Sequence, residues 1–188
     1  MKKIEGTNLQ NELLIKGIIT NIAYDEKKAL ATVTIKADKS AILEVLFNGD
    51  MAKAFNAGYN TGDTITLNAY ALGVPYEKLK IVCTAILPND FFEADAKSSF
   101  TLCGDVVAIK RQFDGLFTIT VKSKIEDGRD SLIHLCLYAE NAKELPFSEG
   151  SRVLFQCSAV GSFIETTDKR QPIVYELAFA VDSFKQNN

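Results

Sequence analysis

The most constraining feature of this chain is a short segment that occurs twice. Residues Leu30–Lys36 read LATVTIK, and residues Leu116–Lys122 read LFTITVK. In both, Leu, Thr, Thr and Lys occupy alternate positions, with only apolar residues between them. Because successive strand residues point to opposite faces, each segment predicts a strand with one apolar face and one hydroxyl-and-lysine face. A core explains the apolar face, but folding alone does not require the polar faces to match. The chain is therefore predicted to hold two copies of one β unit.

Glycines extend this repeat in both directions. Gly17 corresponds to Gly104, and Gly62 corresponds to Gly150, at separations that differ only by single residues. Glycine inside a long first strand predicts a bend or bulge, where one strand serves two sides of a barrel. Glycine just before a fourth strand predicts the close of a helix-to-strand turn. The two halves of the chain thus share the positions of two glycines as well as the sequence pattern of one strand.

Alternation and turn residues predict five strands and one short helix in each half. The predicted strands of the first half are Leu13–Tyr24, Ala29–Ala37, Ala41–Phe47, Asp63–Leu72 and Leu79–Leu87. Those of the second half are Phe100–Arg111, Leu116–Ser123, Ser131–Tyr138, Ser151–Val160 and Ile173–Phe184. The helices are predicted at Asp50–Asn56 and near Ala139–Glu144, in each half between the third and fourth strands.

This order of elements is typical of the OB-fold, a five-stranded, partly open Greek-key barrel. The predicted fold class is all-β with one short helix per repeat, as two tandem OB-fold five-stranded Greek-key barrels. Another small β-barrel or sandwich is the alternative. The predicted divisions are an N-terminal arm at residues 1–11, a first barrel at 12–88, a polar, turn-rich linker at 89–99 and a second barrel at 100–188.

Composition narrows the class of protein. With 188 residues, 47% hydrophobic and 24% charged, the chain has ordinary globular composition. No segment approaches the ~18 apolar residues of a spanning helix, and the first residues lack the features of a signal peptide. A cytoplasmic protein is expected, in a bacterial cell or a phage-infected host, with no membrane partner. The net charge of −3 gives no general attraction for polyanions, so such a site must be a local patch.

Catalytic and metal-binding signatures are missing from the sequence. The four cysteines are far apart, form no C-x-x-C pair and lie in apolar runs, as expected of buried thiols. His134 is the single histidine and has no second ligand at metal-binding spacing. No phosphate-binding loop and no nucleophile elbow are present. We therefore expect no enzyme activity, no metal, no cofactor and no small-molecule substrate.

The second half resembles bacterial and phage single-stranded DNA-binding proteins of the SSB type. The resemblance follows four runs: Phe100–Val107, Gly115–Val121, Ser131–Ala142 and Glu149–Phe155. The first half resembles this family only through its likeness to the second. The resemblance implies an OB-fold, single-stranded DNA as the partner and, by analogy with a four-barrel assembly, a homodimer. RNA is a second candidate ligand.

Two departures from the family pattern matter. Leu132 stands where such proteins commonly stack a base on a tryptophan, and the chain has no Trp at all. It also ends at Asp182–Asn188 without an acidic, disordered tail, which puts recruitment of other proteins by that route in doubt. Base stacking would therefore have to use Phe and Tyr.

OB-folds usually bind on strands two and three and in the loops joining strands one to two and four to five. The candidate binding residues lie there, except Lys124 and Arg129, which belong to the connection between strands two and three of the second half. Threonine and lysine can contact phosphates, and aromatic rings can stack bases. The strand candidates are Thr32, Thr34, Lys36, Thr118, Thr120, Lys122 and His134, with Tyr138 on the same side as His134. The loop candidates are Tyr76, Lys78, Lys110, Arg111, Phe113, Lys124, Arg129, Phe163, Lys169 and Arg170.

Each of these assignments has an alternative. The strand residues could form an ordinary solvated face, and the loop residues could be charged hairpin tips. In the third strand of the first half, Ile42, Glu44 and Leu46 form one candidate inward row. Leu43, Val45 and Phe47 form the other.

The sequence favours a non-catalytic, largely sequence-independent single-stranded DNA-binding protein. Its predicted setting is DNA replication, recombination or transfer of a phage or mobile element. The alternative is a tandem OB-fold adaptor or virion component that binds proteins and not nucleic acid. The acidic balance and the missing tryptophans favour that alternative.

Overall fold

A computed structural model of the protein describes residues 11–37, 41–75, 77–91, 98–113, 115–125, 127–139, 144–160, 163–165, 173–175 and 178–186. Over these residues it is mostly β-structure with one short helix. The first-half elements are β1 (Asn11–Asp25), β2 (Leu30–Lys36), β3 (Ile42–Asn48), α1 (Gly49–Gly58), β4 (Thr64–Leu72) and β5 (Lys80–Leu87). The second-half elements are β6 (Ser99–Phe113), β7 (Leu116–Lys124), β8 (Asp130–Tyr138), β9 (Arg152–Val160), β10 (Phe163–Glu165), β11 (Ile173–Tyr175) and β12 (Ala178–Gln186).

The strand pairings close into two circuits with the same order. In the first circuit the order is β1-β2-β3-β5-β4, and β4 pairs back onto β1. In the second circuit the order is β6-β7-β8-β12-β9, and β9 pairs back onto β6. Strands β3 and β5 run parallel in the first circuit, and β8 and β12 run parallel in the second. The other neighbours run antiparallel. Each circuit therefore joins its elements in the same sequence around a closed sheet.

A glycine lets the long first strand of each circuit change partners. Strand β1 pairs with β4 up to Ile18 and with β2 from Ile18 onward. A Cβ at Gly17 would lie 2.5 Å from the carbonyl oxygen of Lys36, and one at Gly104 would lie 2.4 Å from that of Lys122. Such distances exclude any side chain, so the backbones approach closely only because both residues are glycine. In both halves the long first strand serves two sides of its circuit at the glycine, as predicted.

The turns before β4 and β9 repeat a second contact. Gly62 donates its backbone N–H to the carbonyl of Ile19 at 2.8 Å, and Gly150 donates its own to the carbonyl of Val106 at 2.8 Å. Each bond ties the turn to the middle of the long first strand of its own circuit. The likeness of the two halves thus extends to backbone hydrogen bonding.

The apolar rows predicted from the repeat lie inside. Val33 on β2 and Ile119 on β7 are fully buried, as are their inward neighbours. On β3 the inward row is Leu43, Val45 and Phe47, which decides between the two rows that the sequence left open. Helix α1 covers this core with the buried side chains of Ala52 and Phe55, and the Phe55 ring lies 4.4 Å from that of Phe47.

Some predicted elements differ from those observed. The segment Ile173–Phe184 is not one strand, because Ile173–Tyr175 forms a separate two-stranded sheet with Phe163–Glu165. The final strand of the circuit begins at Ala178. Most of the helix predicted near Ala139–Glu144, residues 140–143, falls outside the described part of the chain.

Backbone pairing joins the two circuits. Residues 11–14 of β1 pair antiparallel with residues 99–102 of β6, so all ten strands of the two circuits belong to one hydrogen-bonded sheet. The side-chain amide of Asn11 donates to the carbonyl of Ala71 at 2.7 Å and accepts the N–H of Ala71 at 2.9 Å. Asn11, expected in a terminal arm, is therefore a buried part of β1.

A second contact between the circuits is centred on Ser131 at the start of β8. Its hydroxyl donates to the carbonyl of Ala71 at 3.0 Å and accepts the backbone N–H of Gly73 at 2.9 Å. The next residue, Leu132, donates its N–H to the carbonyl of Gly73 at 3.0 Å. We call this contact the Gly73–Ser131 seam. It fixes the beginning of the β4–β5 loop against the third strand of the second circuit.

Within the residues described, no helix is long and apolar enough to cross a membrane. No group of three or more His, Cys, Asp or Glu side chains is arranged there to hold a metal ion either.

Candidate nucleic-acid interface

The repeated polar rows lie on two comparable surfaces. The first face consists of the outward side chains of β2 and β3, which are Leu30, Thr32, Thr34, Lys36, Ile42, Glu44, Leu46 and Asn48. The second face consists of the outward side chains of β7 and β8, which are Leu116, Thr118, Thr120, Lys122, Lys124, Asp130, Leu132, His134, Cys136 and Tyr138. Cross-strand register aligns the two faces position by position.

Lys36 is the exposed cation of the first face. It lies between Ile18 on β1 and Ile42 on β3, which are its direct cross-strand partners. These isoleucines are 49% and 65% exposed. An ammonium flanked by two accessible aliphatic side chains can hold a phosphate while a base or sugar packs beside it. Sequence reasoning missed Ile42, because neither row of β3 could be identified as outward. It also missed Ile18, which lies on β1 and not on a strand where OB-folds usually bind.

The centre of the first face carries a negative charge. Glu44 lies opposite Thr34, and its carboxylate accepts a hydrogen bond from the ammonium of Lys78 at 2.9 Å. Both side chains are about half exposed. Lys78, a predicted phosphate contact in the β4–β5 loop, is thus engaged by an acid of the same surface. Such an exposed ion pair contributes only ~0.2–1 kcal/mol, so a phosphate can compete for the lysine.

The second face has a neutral hydrogen bond at the matching place. His134 lies opposite Thr120, and its Nδ1 is 3.1 Å from the Thr120 hydroxyl. Lys122 is exposed near them, opposite Leu132. Among the described residues neither Lys122 nor Lys36 forms an ion pair. These two repeated lysines are the cations best placed to meet a phosphate.

Thr118 corrects the sequence analysis. It lies in the outward row of β7, but it is only 3% exposed. The side-chain amide of Gln112 donates to its hydroxyl at 3.0 Å and covers it. Thr118, a candidate contact on the polar face predicted for this strand, is therefore not accessible. Its counterpart Thr32 is partly exposed.

Tyr138 places an exposed ring on the second face. It ends β8 opposite Leu116 and is 65% exposed. An aromatic ring with this access can stack a base, which is worth ~1–3 kcal/mol. The alternation of β8 places it on the same side as His134, as expected from sequence.

The charged residues in and beside the loop between β7 and β8 form ion pairs with one another. Lys124 donates to Asp130 at 2.9 Å, and Arg129 pairs with Asp127 at 2.6 Å. The hydrogen bond from Arg129 lowers the pKa of Asp127, and the hydrogen bond from Lys124 lowers the pKa of Asp130. Both acids are therefore ionised beside their partners. The two predicted cations of this loop are present at the surface, but each already has an anion.

Lys110 and Arg111, listed above with the loop candidates, lie in β6, which agrees with the predicted strand Phe100–Arg111. Pairing of β6 with β7 continues as far as Phe113 opposite Leu116, so the connection that the sequence placed at these residues is shorter. Lys110 lies opposite Thr118 in this pairing. Both cations are exposed, and they border the second face on its β6 side.

The remaining candidates are described in part or not at all. Phe163 begins β10 and pairs with Tyr175 of β11, so the long loop predicted between the last two strands contains a small hairpin. Tyr76, Lys169 and Arg170 lie outside the described residues.

Comparison with known proteins defines the fold class. No protein-family model matches the chain, and no curated protein matches it. Nine solved chains do match, and the two described next support an SSB-like fold. Two of them are structures of the single-stranded DNA-binding protein from Thermus aquaticus. A deletion mutant aligns with a TM-score of 0.64 at 12% identity, over 95% of this chain and 94% of that one. The wild type aligns with a TM-score of 0.61 at 12% identity, over 95% and 93%.

Proposed function

We propose that this protein is a non-catalytic single-stranded DNA-binding protein made of two tandem OB-fold barrels. The barrels would cover residues 12–88 and 100–188, joined by a linker at 89–99 and preceded by a short arm. The identical strand order of the two circuits supports this division. One observation carries the functional proposal. Lys36 and Lys122 are exposed at equivalent places on two equivalent faces, in a fold shared with single-stranded DNA-binding proteins.

The proposed mechanism combines local charge with sequence-tolerant packing. The two lysines would neutralise phosphates, and Thr34 and Thr120 would add hydrogen bonds to the sugar-phosphate backbone of the DNA. Bases would stack on Tyr138 or pack on the exposed Ile18 and Ile42 beside Lys36. None of these contacts reads a base edge, so binding would depend little on sequence.

The wider setting is also a proposal. We place the protein in the cytoplasm of a bacterial cell or phage-infected host. There it would act in replication, recombination or transfer of a phage or mobile element, as a homodimer and with RNA as a second ligand. The competing proposal is a protein-binding adaptor or virion component. The exposed Ile18 and Ile42 favour that role, because accessible aliphatic side chains also suit a protein partner.

Titration of oligo-dT at several salt concentrations tests the proposal. Phosphate neutralisation makes log K fall with log salt by ~0.7 for each phosphate on a single strand. The double variant Lys36→Ala with Lys122→Ala should bind more weakly and lose ~1.4 of that slope. Its melting temperature should not change, since both side chains are exposed.

The matched control removes two positive charges elsewhere. Lys53 on α1 and Lys185 on β12 lie outside both faces, so changing both to alanine should leave the salt slope nearly intact. Binding that is absent from the wild type, or that ignores salt, would contradict the proposal and favour the adaptor. A double lysine variant that unfolds would show that these lysines serve the fold.

A further inference from the structure

The two faces differ in charge at one equivalent position. Glu44 is the cross-strand partner of Thr34, and His134 is the cross-strand partner of Thr120. The two threonines are the same residue of the repeated segment. One copy thus has a carboxylate at the centre of its face where the other has an imidazole.

The carboxylate of Glu44 occupies a place on the first face where a bound strand would put a phosphate. It accepts a hydrogen bond from Lys78 at 2.9 Å, and Lys78 reaches it from the β4–β5 loop. A phosphate bound on this face would need the same ammonium, and it would be repelled by the carboxylate in addition. Occupation of Lys78 and repulsion by Glu44 both weaken the first face for a polyanion.

The second face has no acid at this central position. His134 bonds to the Thr120 hydroxyl. The acid closest along β8 is Asp130, at the far end of the strand, where it pairs with Lys124. Lys122 lies between these two places. The charges on this face therefore leave its centre open to an anion.

We infer that Glu44 is an internal competitor for phosphate. It makes the first face the weaker half of the binding surface and the second face the primary site for the strand. This inference rests on the proposed function and adds a division of work between the two barrels. It also makes Glu44 a residue whose removal improves binding.

The direct test is Glu44→Gln, measured by oligo-dT titration across a range of salt concentrations. Affinity at ~50 mM salt should rise about two- to fivefold, the range expected from releasing one exposed ion pair. The salt slope should become steeper, because the carboxylate no longer bonds to Lys78 and no longer repels a phosphate on this face. Adding Lys78→Gln to this variant should remove the part of both gains that comes from this ammonium and leave the part that comes from lost repulsion. Lys78→Gln alone should weaken binding by up to about twofold.

Glu77→Gln is the matched control. Glu77 lies in the β4–β5 loop next to Lys78, and it pairs with Lys80 at 2.9 Å with an exposure similar to that of Glu44. Glu77→Gln changes the net charge by the same amount as Glu44→Gln. Equal gains from Glu77→Gln and Glu44→Gln would show a general charge effect and overturn the inference. An unchanged slope in Glu44→Gln would also overturn it, while leaving the proposed function intact. A wild type that fails to bind would end both proposals.

The reciprocal change tests the second face. His134→Glu transfers the carboxylate to the equivalent position and should weaken binding about two- to fivefold. His134→Gln keeps a neutral hydrogen-bonding group there and should bind more tightly than His134→Glu. Melting temperatures of both variants separate a binding defect from loss of the Thr120 contact. Equal affinities of the two variants would contradict the assignment of the second face as the primary site.

Discussion

Gly73→Ala is expected to destabilise the protein by breaking the Gly73–Ser131 seam. An added Cβ would lie 1.8 Å from the carbonyl oxygen of Leu132 and 2.8 Å from its carbonyl carbon. Both are backbone atoms, so no side-chain rotation can relieve the clash. The β4–β5 loop and the start of β8 must therefore move apart.

The loss in the free energy of unfolding can be worked out from the hydrogen bonds that this movement breaks. Leu132 N–H to the Gly73 carbonyl, at 3.0 Å, and Gly73 N–H to the Ser131 hydroxyl, at 2.9 Å, would both lengthen. Each hydrogen bond contributes ~1 kcal/mol net, and buried groups left without partners add ~1–3 kcal/mol. We expect a loss of about 2–4 kcal/mol. For a protein of this size, that lowers the melting temperature by roughly 5–15 °C.

Circular dichroism melting or calorimetry measures this change, with Gly58→Ala as the control. Gly58 ends α1 and has no atom within 4 Å of an added Cβ. Alanine there should leave stability unchanged or raise it by ~0.4–1 kcal/mol. If Gly73→Ala melted at the same temperature as Gly58→Ala, the seam would contribute nothing, and the reasoning from its close approach would be refuted.

Two further predictions concern single side chains. Tyr138→Ala should weaken oligo-dT binding by ~1–3 kcal/mol without lowering the melting temperature, because the ring is exposed; unchanged affinity would remove the ring from the binding surface. Burial raises the pKa of Cys83 from 9.0 to about 12. Between these values the unfolded chain has lost a proton that the folded protein keeps, so stability should fall as pH rises from 9 toward 12. Cys83→Ala should flatten that dependence in denaturant titrations, and an identical alkaline slope in the variant would contradict the burial argument.

Much of the fold could be predicted from the alternation of apolar and polar residues along the strands. The repeated segments predicted β2 and β7 with the correct inward rows, and the glycines predicted where β1 and β6 bend. Alternation fails where both rows of a strand are apolar. In β3 the candidate rows each contain large aliphatic residues, so only pairing with β2 shows that Ile42 faces outward.

Contacts between distant residues account for most of what sequence reasoning missed. The hydroxyl of Ser131 meets the N–H of Gly73 across 58 residues of chain, and no local pattern marks either residue as part of a contact. Thr118 has the same local pattern as Thr32, yet Gln112 covers it. The partners of Lys78 and Lys124 likewise depend on how the loops fold, which residue type alone does not reveal.

The pairing of residues 11–14 with residues 99–102 has a consequence for how the chain is made. During synthesis the first circuit can close before β6 leaves the ribosome, and its residues 11–14 then present backbone donors and acceptors without the neighbouring strand. An uncovered strand edge of this kind recruits other chains. A fragment holding either half alone would carry the same open edge, so translation of the second half also protects the first from self-association.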